Sequence, residues 1–142
     1  MTSQDFSKRL VIVVRKDLLG WEVANTIAHI AAYIGNQLAG SFGTGDTFVT
    51  KDEKEYPRNS QYPIIIKRAN SSEQLQNVLA KAREAGTLHH AFIREMIETS
   101  DDTEIEAMLA TKTDAEVELL GIGVFGTHDD MNALTKKFGL WE

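Results

Sequence analysis

Cysteine is absent from the chain. That excludes disulfides, thiolate nucleophiles and every cysteine-ligated metal site, and it fits a reducing compartment. Proline is almost absent, with two residues in 142. One of them, Pro63, sits at the start of an apolar run, where a missing N–H is tolerated. Long hydrophobic segments are also lacking. The opening MTSQDFSKRL is polar and the following LVIVV is too short for a signal core or a membrane span, so the expectation is a cytoplasmic protein with no membrane partner. Positive charge is scarce: 15 Lys and Arg stand against 21 Asp and Glu, a net charge of −6. Such a balance disfavours general nucleic-acid binding, which draws on cations neutralising phosphates. Two basic pairs, Arg15-Lys16 and Lys67-Arg68, each follow an apolar run.

What is present describes an ordinary folded chain. Hydrophobic residues make up 42% and charged residues 25%, usual for a globular domain. At this length roughly two-thirds of the unfolded surface can be buried, so no metal or disulfide is required to hold a core. The spacing predicts one α/β domain over residues 1–142. Continuous apolar runs at 9–14, 63–68, 87–94 and 116–124 read as strands covered on both faces. A helix is expected over 21–38, with Val23, Ile27, Ile30, Ile34 and Leu38 as its apolar stripe. Ser71 and Gln74 form a capping box for a second helix ended by Gly86. A short acidic helix capped at Ser100 or Asp101 follows, and Thr127 with Asp130 caps a last helix running to about Lys137. Alternation of strand and helix implies a three-layer α/β/α fold with a mostly parallel, four-stranded mixed sheet.

Two glycine-rich stretches invite a nucleotide reading and fail it. GIGVFG, Gly121 to Gly126, has the letters of a dinucleotide fingerprint and lies between a strand and a helix. Only 16 residues follow it, too few for the next strand and its acidic ribose ligand. Close backbone packing and a tight turn are the expected roles of these glycines. GSFGTGD lacks the Gly-Lys-Ser/Thr ending of a phosphate loop and reads as a flexible connection. No histidine pair has metal-ligand spacing, and His89 and His90 face opposite sides of a strand. Neither metal nor cofactor is expected.

The junction RKDLLGWEVANTIAH carries the remaining chemistry. Arg15, Lys16 and Asp17 emerge where the first strand ends, a usual place for ligands in open sheets. Glu22 opens the helix, and Asn25 and His29 lie one turn apart on its polar face. A site built from these residues and a solvated helix face are both compatible with the pattern.

VVRKDLL followed by an alanine-rich helix with a histidine resembles the opening of peptidyl-tRNA hydrolase type II. YPIIIKRANSSEQLQNVLAKAREAGTLHHAFIRE and VELLGIGVFGTHDDMNALTKKFGLW resemble its later strand, helix, glycine turn and closing helix. NTIAH, Asn25 to His29, is similar to the Asn-x-x-Ala-His pattern of an uncharacterised bacterial family, a domain of unknown function related to that hydrolase. The resemblance implies the hydrolase fold, a homodimer, and a site with Asp17, Glu22, His29 and Glu95 in catalytic places and Arg15, Asn25, Thr26 and Arg94 in substrate-binding ones. It also implies divergence. GWEV replaces the segment that carries the hydrolase lysine, Thr26 replaces its glutamine, and REMI puts Glu95 where its aspartate stands. Three functions therefore remain open: hydrolysis of an ester or amide by water activated at His29 or a carboxylate, with Arg15 or Arg94 neutralising developing charge; non-catalytic binding of a small or peptide-like ligand by a homodimeric module on the same scaffold; and a mainly structural homodimer, since the resemblance implies a dimer. Weak, salt-dependent tRNA binding is expected from the charge.

Overall fold

A computed structural model describes residues 4–43 and 45–142. Met1 to Ser3 of the polar opening and Thr44 of the GSFGTGD connection lie outside the described residues. The elements run in the order β1 (Lys8–Arg15), α1 (Gly20–Leu38), β2 (Thr47–Val49), β3 (Glu55–Pro57), β4 (Ile64–Ala69), α2 (Ser72–Ala85), β5 (Leu88–Ile93), α3 (Arg94–Glu98), α4 (Asp102–Leu109), β6 (Leu119–Thr127), α5 (His128–Thr135) and β7 (Gly139–Leu140). Short 3₁₀ turns occupy Ala39–Ser41 and Asp114–Glu116.

The fold is mixed α/β, built on a sheet of five strands in the order β5-β6-β1-β4-β7. This corrects the expectation of a mostly parallel sheet of four. Only β1 and β4 pair in parallel; β1 with β6, β5 with β6, and β4 with β7 pair antiparallel. The reason lies in strand insertion. β1, β4 and β5 all point the same way, but reversed β6 is wedged between β1 and β5 and removes their parallel contact. A buried apolar run looks alike in either orientation, so the sequence pattern does not reveal the wedge. β7, with two residues, is too short to leave any alternation.

Central β1 alternates its core contacts residue by residue, as period-2 geometry demands. Leu10, Ile12 and Val14 pack with Val23, Ile30 and Ile34 of α1. Val11 and Val13 pack with Leu75, Val78, Leu79 and Ala82 of α2 and with Met131 of α5. All five are fully buried, at 0% exposure. In α1 the buried stripe is Val23, Thr26, Ile30 and Ile34, so Thr26 takes the innermost place expected of its neighbour Ile27.

Capping follows the sequence closely. Ser71 Oγ accepts from the Gln74 N–H at 3.3 Å, Gly86 takes the left-handed conformation at φ 68°, and Thr127 Oγ1 accepts from the Asp130 N–H at 3.2 Å. Asp101 is the cap of α4. The last helix stops at Thr135, short of Lys137. The third expected strand also ends early, because Arg94 already belongs to α3. Thr47–Val49 forms β2, in an antiparallel hairpin with β3.

The glycines of GIGVFG lie inside β6 and form no turn, which corrects that half of their expected role. Close approach is the other half, and here the geometry is tight. A Cβ added at Gly123 would stand 2.3 Å from Ile30 Cγ2, and one at Gly121 would stand 2.6 Å from Thr26 Cγ2. Helix α1 therefore lies directly on the β6 backbone. Replacing Gly123 by Ala is expected to cost about 1–3 kcal/mol through overpacking, measured by chemical denaturation. Gly40→Ala is the control: nothing lies within 4 Å of the added Cβ, and its effect should stay within about 0.5 kcal/mol.

Candidate functional site

The chain end of β1 and the start of α3 bring together an ionic cluster. Arg15 grips Asp17 with two parallel bonds, Nε to Oδ1 at 3.0 Å and Nη2 to Oδ2 at 2.8 Å. Its Nη1 donates to Glu118 Oε2 at 2.5 Å. Arg94 donates to the same oxygen from Nη2 at 3.1 Å and to Glu22 Oε2 from Nη1 at 3.1 Å. Glu22 Oε1 meanwhile accepts the Leu19 N–H at 3.0 Å, so one carboxylate both caps α1 and ties it to α3. Two guanidinium groups thus hold three carboxylates. Arg15 and Arg94, expected to face a substrate, have their charge already matched inside the protein.

The electrostatics agree with this pairing. The hydrogen bonds from Arg15 hold Asp17 below its ordinary carboxylate range. Burial pushes Glu118 upward, but bonds from Arg15 and Arg94 outweigh it and leave its value lowered. Arg15 is raised, first by its bond to Asp17. Glu118 is the member that sequence reasoning missed. It stands in AEVEL as one acid among several, and only the β6 register carries it between two arginines.

Glu95 and Thr26 are both withdrawn from solvent. Glu95 is buried, at 2% exposure, with Oε2 accepting from Lys112 Nζ at 2.6 Å and Oε1 without a hydrogen-bond partner. It is withdrawn from solvent because α3 turns inward immediately after β5. Thr26 is fully buried on the inner face of α1, and its hydroxyl has no hydrogen-bond partner among the described residues; the close approach to Gly121 leaves no room for a ligand there. Asn25 is half-buried and makes no side-chain hydrogen bond within the described residues.

His29 stands apart from the ionic cluster. Its ring stacks on Phe92 at 5.2 Å between centroids and 15° between planes. Beside it His90 stacks on Tyr33 at 4.3 Å and 20°. Burial, and the charges of His29 and His89, hold His90 below the ordinary histidine value. His29, His90 and Phe92 line a recess of about 630 Å³ whose other walls are Met96, Thr99, Ser100, Asp102, Ile105, Glu106 and Leu109. Residues 98–112 thus supply most of one wall. The expected single cleft of Asp17, Asn25 and His29 with Arg94 or Glu95 is two places instead: an ion cluster, and a recess that holds only His29 of that set.

Residues 8–142 match the model of a protein family of unknown function, DUF2000. The chain belongs to that family. It is also similar in structure to a protein of unknown function, Atu0240, from Agrobacterium tumefaciens strain C58, with a TM-score of 0.84 and 20% identity over 97% of this chain and 100% of that one. At that identity the likeness concerns the fold. No curated protein matches the chain. Among the described residues of this family member, no group of three or more His, Asp or Glu is placed to hold a metal ion, and no helix is long and apolar enough to cross a membrane.

Glu118→Gln tests the ion cluster. Because Asp17 and Glu118 have folded values below their unfolded ones, their contribution is present above the ordinary carboxylate range of about 4. It is lost as pH falls through the lowered values. The Glu118 side chain is 40% exposed, so screening limits the expected cost at neutral pH to about 1 kcal/mol. The gap between wild type and variant should close below about pH 4, as followed by urea unfolding across pH.

Proposed function

We propose that the protein binds a small, largely apolar ligand in the recess beside His29. The observation that carries this reading is the recess itself, about 630 Å³ with Phe92, Met96, Ile105 and Leu109 as apolar lining and two imidazoles at one side. Pockets that enclose small molecules typically run from about 300 to 1,000 Å³ and combine apolar walls with a few polar groups. Neither His29 nor His90 spends a ring nitrogen on a hydrogen bond within the described residues, so both remain available to orient a ligand. The pairing of Arg15 and Arg94 with carboxylates counts against a hydrolase that needs a free cation for developing charge.

Hydrolysis of an ester or amide is the second reading. What favours it is the same free imidazole of His29, which could accept a proton from water in the recess. The three-layer form and the kinship with peptidyl-tRNA hydrolase type II belong to this proposal. The three-layer form is supported by the separation of α1 from α2 and α5 on alternate residues of β1, and the kinship by the sequence resemblance alone. A homodimer in a reducing cytosol is the setting we infer, with exposed Leu19 and Trp21, at 64% and 60%, offering apolar surface for the contact. A tRNA ligand suits the net charge of −6 poorly.

The neutral fluorophore N-phenyl-1-naphthylamine is the probe. Wild type should bind it saturably, and Ile105→Trp, which fills the recess from α4, should weaken binding at least tenfold with unchanged melting temperature. Equal binding by the variant would place the ligand elsewhere. Turnover of p-nitrophenyl acetate that disappears in His29→Ala would set hydrolysis above simple binding. Light scattering should return twice the 15.8 kDa chain mass, and Trp21→Asp should shift it toward the monomer.

A further inference from the structure

A second recess, of about 280 Å³, opens at the C-terminal ends of the parallel pair β1 and β4. Lys16 follows β1 directly and is fixed there by its N–H donating to the Ala69 carbonyl at 3.0 Å. Arg68 and Asn70 come from the end of β4, Gln74 from the first turn of α2, and Lys137 from the segment after α5. Three cations on three separate segments thus converge with two side-chain amides, and among the described residues no carboxylate lines the recess. In a chain of net charge −6 this local excess of positive charge runs against the whole.

The donors are also unspent. Among the described residues Lys16 and Lys137 form no ion pair, and Arg68 makes one side-chain bond, from Nη1 to the Leu140 carbonyl. Gln74 uses its Oε1 to accept the Asn70 N–H at 2.8 Å, which fixes the amide and leaves its NH₂ free to donate. The side chain of Asn70 makes no hydrogen bond within the described residues. Lys137 is anchored at one end only, its ammonium 5.5 Å from the Phe138 ring centre, while Phe138 itself is buried in the core. Like charges held together without a counter-charge raise the energy of the empty site, and an anion relieves it.

We propose that this recess binds the phosphoryl group of a small phosphorylated metabolite. A phosphate monoester carries about −1.5 to −2 charges near neutral pH and three strong acceptor oxygens. That matches three cations and two amide donors better than a carboxylate, with one charge and two oxygens. The Arg68 fork suits phosphate geometry, and the lysines act as point charges around it. The site lies at strand ends, the usual ligand position in open α/β sheets. It shares no lining residue with the recess beside His29, so the two proposals stand or fall separately.

Inorganic phosphate and glycerol 3-phosphate are the probes, titrated into ¹⁵N-labelled full-length protein while amide shifts are recorded. Both should give saturable shifts at Lys16, Asn70, Gln74 and residues 137–139, weakening as salt is raised. The double variant Lys16→Gln, Lys137→Gln alters two exposed side chains and should keep the wild-type circular dichroism spectrum while its dissociation constant rises at least tenfold. Arg68→Lys, which keeps the charge and loses the fork, should fall between the two. Acetate binding as tight as phosphate would overturn the phosphoryl assignment. So would shifts that map elsewhere, or a double variant that binds like wild type. A single-stranded oligonucleotide binding more tightly than glycerol 3-phosphate, with shifts extending beyond the recess, would replace the metabolite by nucleic acid.

Discussion

The contact of α1 with the glycine backbone of β6 fixes where the chemistry on that helix can go. Ile30 and Thr26 occupy the space that side chains at Gly123 and Gly121 would fill, so the helix is seated at backbone distance and its rotation is set. Helical spacing does the rest. With Thr26 and Ile30 facing inward, Glu22 reaches Arg94 at the start of α3, and His29 faces Phe92 of β5. A Cβ on either glycine would force the helix outward, and the ion pair and the ring stack would both have to re-form at a new separation. The two candidate regions are thus positioned by one apolar contact that touches neither.

Charge in the cluster is arranged for closure more than for capture. Arg15 and Arg94 share Glu118 and each holds a further carboxylate, which joins the end of β1, the start of α1, the start of α3 and the start of β6. The Glu118 and Asp17 side chains are 40% and 53% exposed, so solvent screens the network and the loss of one of these carboxylates costs only about 1 kcal/mol. The network fastens together the four chain segments that would otherwise fray at this end of the sheet. The contrast with the Lys16, Arg68 and Lys137 recess is physical: similar cations, one set saturated by carboxylates and the other by none.

Legibility from sequence followed the range of the interactions. Helix α1, the caps at Ser71, Gly86, Asp101 and Thr127, and the four principal apolar strands are set by neighbours a few residues away, and periodicity exposes them. Strand order and the reversal of β6 depend on pairings between residues more than 20 apart, such as Leu10 with Phe125 and Leu88 with Phe125. Nothing local encodes those. The candidate site divided in the same way. Asp17, Arg15, Glu22 and Arg94 were recognisable as charges near strand and helix ends and do cluster. Glu118 escaped notice because its role comes only from long-range register. The burial of Thr26 was not legible because a hydroxyl on a helix reads as polar, although a threonine offers a methyl as well as a hydroxyl to a close backbone.

Glu95 shows why proximity to a resemblance is a poor guide to role. In the sequence resemblance it falls where peptidyl-tRNA hydrolase type II carries an acid; in this structure its side chain enters the interior and meets Lys112, beyond α4, at 2.6 Å. Glu95 binds the segment 98–112 to the body of the protein, and that segment's α4 walls the recess at His29. The bond also acts on the lysine, whose value is raised first by its hydrogen bond to Glu95. An acid placed for chemistry in one scaffold can thus serve in another to hold the wall of a different pocket. The Oε1 atom of Glu95, buried without a partner, marks a cost that this arrangement bears. That cost is set against the ordering of the α4 wall, which covers buried Phe92 on that side while His29 stays exposed.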